Sequence, residues 1–203
     1  MSSGRGDEAR PRPPVLLVHG IWKTGATFDA LARRLRRDGL RAHAVDLRPN
    51  DGSAPIAELA RSALAEADRV FGADAPFDVV GFSMGGLVAR YLAQRLVKPP
   101  RVARFVSVSA PQAGTWAAHL SGKAGAVEMR PGSALLRDLA SDVDRLSALD
   151  VTSIWTPLDL MILPAESSRL PVGRAVLVGC PLHGLMLRDP RCIGAVAEAL
   201  ARR

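Results

Sequence analysis

The chain has 203 residues, 48% of them apolar, and carries a net charge of +7 from 27 basic and 20 acidic side chains. A chain of this length can bury one core of ordinary domain size. Its apolar runs fall well short of the roughly 18 residues that a membrane-spanning helix needs, so no transmembrane segment is expected. Aromatic residues are few and are not interleaved with the arginines, which argues against nucleic-acid binding.

The amino-terminal segment, residues 1–14, is charged and rich in Gly, Pro and Arg. It lacks the apolar stretch of a signal peptide, so we expect a disordered leader and, by default, a cytoplasmic protein. Export stays open, because a lost signal or a misassigned start codon would look the same. Residues 15–203 are predicted to form a single domain.

Short apolar runs of strand length alternate with stretches of helical period along the whole chain. Strands are predicted at Val15–Val18, Arg41–Val45, Phe77–Val80, Arg104–Val108, Val151–Trp155 and Ala175–Gly179. Helices are predicted at Ala26–Arg37, Ile56–Val70 and Leu87–Leu96, and around Ile193–Leu200. This alternation predicts an α/β fold with a mostly parallel six-stranded sheet and helices on both faces. Functional groups of such a sheet are expected in loops at the carboxyl ends of the strands.

Much of the excess positive charge lies in the first predicted helix. Arg33 and Arg37 share this helix with Leu31 and Leu35, so the arginines are expected on the solvated side of an amphipathic helix. Weak surface contact with anionic lipid remains open.

The pentapeptide Gly81–Gly85, with Ser83 at its centre, follows the third predicted strand and opens a helix. A strand that turns sharply into a helix strains its corner residue, and a Cβ atom at either flanking glycine would clash across the turn. Ser83 would then project its hydroxyl outward, while the free N–H of Met84 faces the same point. This pattern predicts a nucleophilic serine for acyl transfer. A Gly-rich turn without chemistry is the alternative.

Two further candidates also follow strands directly. Asp159 lies four residues beyond Trp155, and His183 lies four residues beyond Gly179. In this order Ser83, Asp159 and His183 match a nucleophile, an orienting acid and a general base. Asp46 also follows a strand and is the alternative acid.

The tetrapeptide His19–Trp22 follows the first strand, where a second backbone N–H would complete an oxyanion pocket. Ile21 is the candidate donor. We expect His19 to be a hydrogen-bonded structural residue, because His183 fits the role of base better.

Five other polar residues are assigned no catalytic role. His43 and His119 lack a partner pattern and are expected on the surface or in packing. Asp189 precedes a proline and is predicted to cap a helix. Glu128 and Glu166 fall in predicted loops without a second carboxylate at suitable spacing, which argues against a glycosidase.

The two cysteines, Cys180 and Cys192, flank His183. They are expected to be idle thiols, with a disulfide across that loop as the alternative. Neither their spacing nor their neighbours predict a metal site.

The stretch 112–147 is longer than an ordinary connection and is dotted with apolar residues. It is expected either to form a small cap over Ser83 or to pack as surface helices on the sheet. Periodicity does not separate these two arrangements.

Taken together, these motifs resemble the α/β-hydrolase family, and within it the small bacterial lipases and esterases. The resemblance rests on Val18–Ile21, Gly81–Gly86, Asp159 and His183 and extends from Pro14 to Leu200. It implies ester hydrolysis through an acyl-enzyme on Ser83, without a metal or an organic cofactor.

The same resemblance favours small-molecule or lipid-like esters as substrates, with Trp22, Trp116 and Leu185 as candidate substrate contacts. Gln112 departs from the family, whose lipases often carry a histidine after the proline of that loop. A thioesterase, an acyltransferase and a non-catalytic ligand-binding protein remain alternatives, and the oligomeric state is not indicated.

Overall fold

The computed structural model describes residues 12–202. Within this range six strands form one sheet: β1 (Val15–Val18), β2 (Ala42–Val45), β3 (Phe77–Phe82), β4 (Val102–Val108), β5 (Asp150–Trp155) and β6 (Arg174–Leu177). The strand order is β2-β1-β3-β4-β5-β6, and each neighbouring pair is parallel. The predicted fold class is confirmed.

The α-helices of the described residues are α1 (Asp29–Arg37), α2 (Ile56–Phe71), α3 (Met84–Tyr91), α4 (Ala124–Glu128), α5 (Ala134–Ser141) and α6 (Pro190–Ala201). Shorter 3₁₀ turns lie at Gly25–Phe28, Trp116–Leu120, Val143–Ala148, Ala165–Ser168 and His183–Arg188, and a π turn at Leu92–Leu96 extends α3.

Side chains that alternate along the strands build a separate core on each face of the sheet. Leu16 and Val18 of β1 belong to the core that contains apolar residues of α2, α3 and α5. Val15 and Leu17 point the other way and belong to the core that contains residues of α1 and α6. Helices therefore cover both faces, as predicted.

The strand order reverses at β1, which pairs with β2 on one side and with β3 on the other. In this register Val18 lies beside Gly81, so the loops after β1 and β3 emerge side by side. Such a reversal creates a crevice at the carboxyl ends of the strands, where ligands bind in open α/β sheets.

Some predicted boundaries differ from the structure. Ala26–Arg37 begins as a 3₁₀ turn, and the helix predicted from Leu87 already begins at Met84, although two glycines follow it. Tertiary packing overrides glycine's low helix propensity there. The strand predicted to reach Gly179 ends at Leu177.

The predicted leader falls mostly on residues 1–11, outside the described residues. Two of its last three residues contact the domain: Arg12 donates a hydrogen bond to the Leu200 carbonyl at 3.0 Å, and the Pro14 carbonyl accepts from Asp78 N–H at 2.8 Å. These two contacts attach residues just before the predicted domain start to the domain, and composition alone does not reveal them.

Residues 112–147 are tied to the body of the protein at several points. Leu136 and Leu139 of α5 are buried in the structure. The carboxylate of Glu128 accepts a hydrogen bond of 2.6 Å from Ile56 N–H, at the start of α2. Glu128 thus lies in helix α4 rather than in the predicted loop, and Glu166 lies in a 3₁₀ turn.

Cys180 and Cys192 are both buried and free, so the structure contains the two thiols rather than the alternative disulfide. Burial raises the pKa of Cys192 to about 12.

The arginines of α1 are exposed while Leu31 and Leu35 are buried, as the amphipathic pattern predicts. Across residues 12–202 no helix combines the length and the apolar character that crossing a bilayer would require.

Candidate active site

Ser83 occupies the sharp corner between β3 and α3. Its backbone adopts φ 55° and ψ −129°, which side-chain-bearing residues rarely do. The corner is held in place because Ser83 N–H donates to the Val108 carbonyl and Gly86 N–H donates to the Ser83 carbonyl, both at 2.9 Å. Strain of this kind is concentrated at functional sites, where the surroundings maintain it.

The glycines beside Ser83 are required by close backbone approach. A Cβ atom at Gly85 would collide with the carbonyl of Val18, and one at Gly81 would collide with the backbone of Gly85. Gly20 approaches from the neighbouring loop, since a Cβ atom there would lie 3.2 Å from Ser83 Oγ. The loop after β1 therefore passes directly beside the Ser83 hydroxyl.

Asp159 and His183 come together across two adjacent loops. Oδ2 of Asp159 accepts a hydrogen bond of 2.8 Å from Nδ1 of His183. Oδ1 of Asp159 accepts two more, from the N–H groups of Met161 at 2.9 Å and Ile162 at 3.0 Å. The carboxylate is only 3% exposed, so its orientation is fixed.

The environment of Asp159 keeps its carboxylate ionised. Burial by itself would raise the pKa of Asp159. The hydrogen bond and charge of His183, together with the N–H groups of Met161 and Ile162, outweigh burial and hold that pKa below its ordinary value of 3.8. An ionised carboxylate on Nδ1 leaves Nε2 of the same ring available for proton transfer.

His183 lies next to the Ser83 corner through a contact with Phe82. The two rings have centroids 4.9 Å apart and are tilted by 31°. Phe82 directly precedes Ser83, so this contact places the imidazole at the edge of the sheet where Ser83 emerges. No hydrogen bond between Ser83 Oγ and His183 is present among the described residues. Catalytic hydrogen bonds of free enzymes are often long and tighten when substrate binds.

The backbone N–H groups of Ile21 and Met84 donate no hydrogen bond in the described part of the chain. Met84 is the first residue of α3, whose initial N–H groups have no partner within the helix. Ile21 lies in the turn after β1, and neither N–H donates to another group within residues 12–202. Two free donors on the loops that flank Ser83 are what an oxyanion pocket requires.

His19 is held inside the structure. The residue is fully buried, its Nδ1 donates to the Gly20 carbonyl at 2.9 Å, and its Nε2 accepts from Leu47 N–H at 2.9 Å. Burial holds its pKa below 6.5, against the opposing effects of Gly20 and Asp46. Both ring nitrogens are occupied, as expected of a structural histidine.

The alternative acid is positioned differently. Asp46 is exposed and accepts a 2.6 Å hydrogen bond from Gly25 N–H, whereas His183 is bonded to Asp159. His43 pairs with Glu66 at 2.7 Å, a partner that the sequence pattern did not reveal.

Two other assignments match their surroundings in the structure. Asp189 caps α6 by accepting from Arg191 N–H at 2.8 Å, and the hydrogen bond from the Arg191 side chain lowers its pKa to about 2. His119 is exposed and stacks on Trp116 at 5.2 Å.

Large apolar side chains remain exposed on the segments that follow β1, β4, β5 and β6. We call this set the apolar rim; it comprises Trp22, Trp116, Leu120, Leu158, Leu160, Met161, Leu163, Leu182 and Leu185. Trp22 is 71% exposed and adopts φ 55° directly after Ile21. Trp116 N–H donates to the Leu163 carbonyl at 2.9 Å, which joins the stretch 112–147 to the Asp159 loop.

Trp22, Trp116 and Leu185 of this rim were predicted from the sequence as substrate contacts, whereas the apolar residues of the loop after β5 were not. Leu158, Leu160, Met161 and Leu163 surround Asp159 in the chain. A loop carboxylate flanked in sequence by several apolar residues was the signal that could have indicated this apolar surface. Gly20 and Phe82, which touch Ser83 and His183, were also missed as contacts.

Within the described range, no three His, Cys, Asp or Glu side chains cluster in a way that could hold a metal ion.

A family model described as alpha/beta hydrolase fold matches residues 13–176. The mature Bacillus licheniformis lipase BlEst2 superposes with a TM-score of 0.77 at 14% identity, over 94% of this chain and 93% of that one. Aspergillus fumigatus lipase B superposes with a TM-score of 0.78 at 18% identity, over 100% of this chain and 55% of that one.

A pimeloyl-[acyl-carrier protein] methyl ester esterase from Neisseria meningitidis serogroup B is 42% identical over 81 residues. That match covers 40% of this chain and 31% of the relative, so it spans about a third of the curated protein's length. The structural matches lie below 25% identity and establish the fold, while the family model spans well over half of the chain. The protein therefore belongs to the alpha/beta-hydrolase fold family.

Proposed function

We propose that the protein is a serine carboxylic-ester hydrolase. Ser83 is the nucleophile, His183 the general base and acid, and Asp159 the residue that orients the imidazole. The backbone N–H groups of Ile21 and Met84 form the oxyanion pocket. The observation that carries the proposal is the strained Ser83 corner, at the same edge of the sheet as the Asp159–His183 hydrogen bond.

In the first half of the reaction, Oγ of Ser83 attacks the ester carbonyl carbon and its proton passes to Nε2 of His183. Negative charge on the carbonyl oxygen is stabilised by the two free N–H donors. His183 returns the proton to the departing alcohol, which leaves an acyl group on Ser83. In the second half, water gives a proton to His183 and attacks the acyl carbon; the bond to Oγ breaks, His183 returns the proton to Oγ of Ser83, and the carboxylic acid is released.

The apolar rim supports esters with an apolar acyl chain as substrates. Six of its nine side chains lie on the loops that carry Asp159 and His183, and an exposed apolar surface of this kind is typical of a binding site. The curated relative named above is a methyl ester esterase, which agrees with a carboxylic ester as the bond cleaved. Weak contact of the rim with an anionic lipid surface belongs to the same proposal, since the chain carries a net charge of +7.

Two measurements test the proposal. A fluorophosphonate probe is expected to label the wild type, and Ser83→Ala is expected to abolish labelling. Hydrolysis of nitrophenyl esters with acyl chains of about two to sixteen carbons then gives activity and chain-length preference together. The same acyl donors offered with an alcohol or a thiol acceptor distinguish a hydrolase from an acyltransferase.

Absence of labelling in folded protein would contradict the proposal and favour a ligand-binding protein on this scaffold. Labelling together with thioester turnover, but without ester turnover, would indicate that the substrate is a thioester rather than an ester.

A further inference from the structure

A second concave site lies on the side of α3 that faces α5. It has a volume of about 340 Å³ and is lined mainly by Arg90, Leu136, Arg137, Val143, Arg169 and Leu170. We call it the arginine cavity. Ser83, Asp159 and His183 are not part of its lining, so it is separate from the candidate active site.

The lining of this cavity is cationic and contains no carboxylate. It includes three arginines but neither Asp nor Glu. Two acidic residues that flank α5 lining residues in sequence, Asp138 and Asp142, are paired with Arg95 at 3.0 Å and 2.7 Å. Arg95 therefore neutralises much of their charge, although the charge of Asp142 still acts on Arg90.

Arg137 and Arg169 form no ion pair with any carboxylate within residues 12–202, and both are exposed. Arg137 donates a 2.6 Å hydrogen bond to the Gly132 carbonyl, and the guanidinium of Arg169 lies 5.8 Å from the Trp155 ring. Contacts with neutral groups hold both side chains in place, and their charges remain available to an anion.

Arg90 is only 2% exposed, although an arginine is rarely buried without a charged partner. Its guanidinium donates to Gln94 Oε1 at 3.1 Å, to the Gln112 carbonyl at 3.0 Å and to the Leu139 carbonyl at 2.7 Å, all of them neutral oxygens. Desolvation, and then the charge of Arg95, lowers the pKa of Arg90 to about 10, against a smaller opposing effect of Asp142. A bound anion would offset this cost of burying an unpaired charge.

Apolar side chains form the rest of the wall, notably Leu136, Val143 and Leu170. The volume falls in the lower part of the roughly 300–1,000 Å³ range of small-molecule sites. A guanidinium fork matches the two oxygens of a carboxylate, while apolar walls match a hydrocarbon chain.

From this combination we propose that the arginine cavity binds a small amphiphilic carboxylate, with its head at the arginines and its short apolar tail against the leucines. The ligand class follows from the lining alone and does not depend on ester hydrolysis.

The test is an NMR titration of ¹⁵N-labelled Ser83→Ala protein with octanoate, followed at the Nε–H signals of Arg90, Arg137 and Arg169. These signals report locally, so octanoate held elsewhere does not obscure the result. Saturable shifts at these arginines are expected. Inorganic phosphate and 1-octanol, which each lack one half of the ligand, are expected to bind at least about tenfold more weakly.

Two variants examine the site itself. Arg137→Gln removes one exposed cation, and Ala140→Phe fills part of the cavity, since Ala140 also lines it. Each is expected to weaken octanoate binding at the Arg90 signal at least about tenfold. The matched control is Arg33→Gln, an exposed charge change on α1 that should leave the affinity unchanged.

Octanoate that leaves all three arginine signals unmoved would overturn the proposal. Binding of 1-octanol as strong as that of octanoate would also overturn it, because the arginines would then contribute nothing. Equal binding of inorganic phosphate would show a simple anion site and contradict the amphiphile. Loss of ester turnover in the fluorophosphonate and nitrophenyl tests would leave this binding result unaffected.

Discussion

Nδ1 of His183 lies 2.8 Å from Oδ2 of Asp159, although the residues belong to separate loops after β5 and β6. These strands are parallel neighbours, so their carboxyl ends deliver both loops to one edge of the sheet. The remaining oxygen of Asp159 is bonded to backbone N–H groups, which prevents rotation of the carboxylate. The Asp159 carboxylate thus fixes Nδ1 of His183 and leaves Nε2 available for proton transfer.

The first prediction concerns this pair. Asp159→Asn is expected to lower kcat for a short nitrophenyl ester by about 10³- to 10⁴-fold, because the amide no longer holds the productive tautomer of His183. His183→Ala is expected to cause a loss of several orders of magnitude. Asp46→Asn is the matched control, since among residues 12–202 the Asp46 carboxylate accepts a hydrogen bond only from Gly25 N–H, and the kcat of this variant should stay near the wild-type value. Equal losses in Asp46→Asn and Asp159→Asn would show that the acid is wrongly assigned.

The second prediction concerns the approach of Gly20 to Ser83. In Gly20→Ala the new Cβ atom would lie 2.8 Å from Ser83 Cβ and 3.2 Å from Oγ. The serine has to shift, so kcat is expected to fall by about 10²-fold, while overpacking costs about 1–3 kcal/mol of unfolding free energy.

Gly122→Ala is the control for that substitution, since no heavy atom lies within 4 Å of its added Cβ. Ester kinetics and urea unfolding of both variants provide the comparison. A Gly20→Ala enzyme with unchanged kcat would show that the Ser83 hydroxyl is not confined by the β1 loop.

The sequence predicts the Ser83 corner well because strand, turn and helix are local features with a strict steric requirement. Asp159 and His183 could also be placed, since each follows a strand of a parallel sheet at short distance. The contact of His183 with Phe82 could not be predicted, because it depends on how far the last loop folds back over β3.

Long-range packing explains the remaining differences. Glu128 bonds to Ile56 N–H, 72 residues away in the chain, and no local pattern encodes that partner. Arg90 occupies a helix position that polarity would assign to solvent, yet it is buried against neutral carbonyls. Periodicity likewise leaves open whether the stretch 112–147 covers substrate, although it shows the buried face of α5.

The third prediction concerns the apolar rim. Leu160 is 71% exposed on the Asp159 loop, so Leu160→Asp should leave the fold intact while it places a charge where an acyl chain would lie. Burial of a leucine contributes about 1.5–3 kcal/mol, so kcat/KM for a long-chain nitrophenyl ester is expected to fall at least about tenfold. The acetate ester is the internal control and should be hydrolysed nearly as fast as by the wild type. A uniform loss for both esters would instead indicate damage to the site.

The fourth prediction concerns the pH dependence of stability at Asp78, which is 1% exposed and 3.2 Å from the Arg104 guanidinium. Burial outweighs the Arg104 interactions and raises the pKa of Asp78 to about 6. In the unfolded chain the same carboxyl releases its proton near pH 3.9. Between these values the folded state binds more protons, so this residue lowers the free energy of unfolding as the pH rises from about 4 to 6.

Asp78→Asn removes this titration, and its unfolding free energy should fall less over that window than the wild type's, by up to about 3 kcal/mol. Urea unfolding at several pH values between about 4 and 7 measures the difference. Asp74→Asn, at an exposed position just before β3, should retain the wild-type profile. Identical profiles for the wild type and Asp78→Asn would mean that Arg104 compensates the buried carboxylate fully, because the proton would then leave at the same pH in both states.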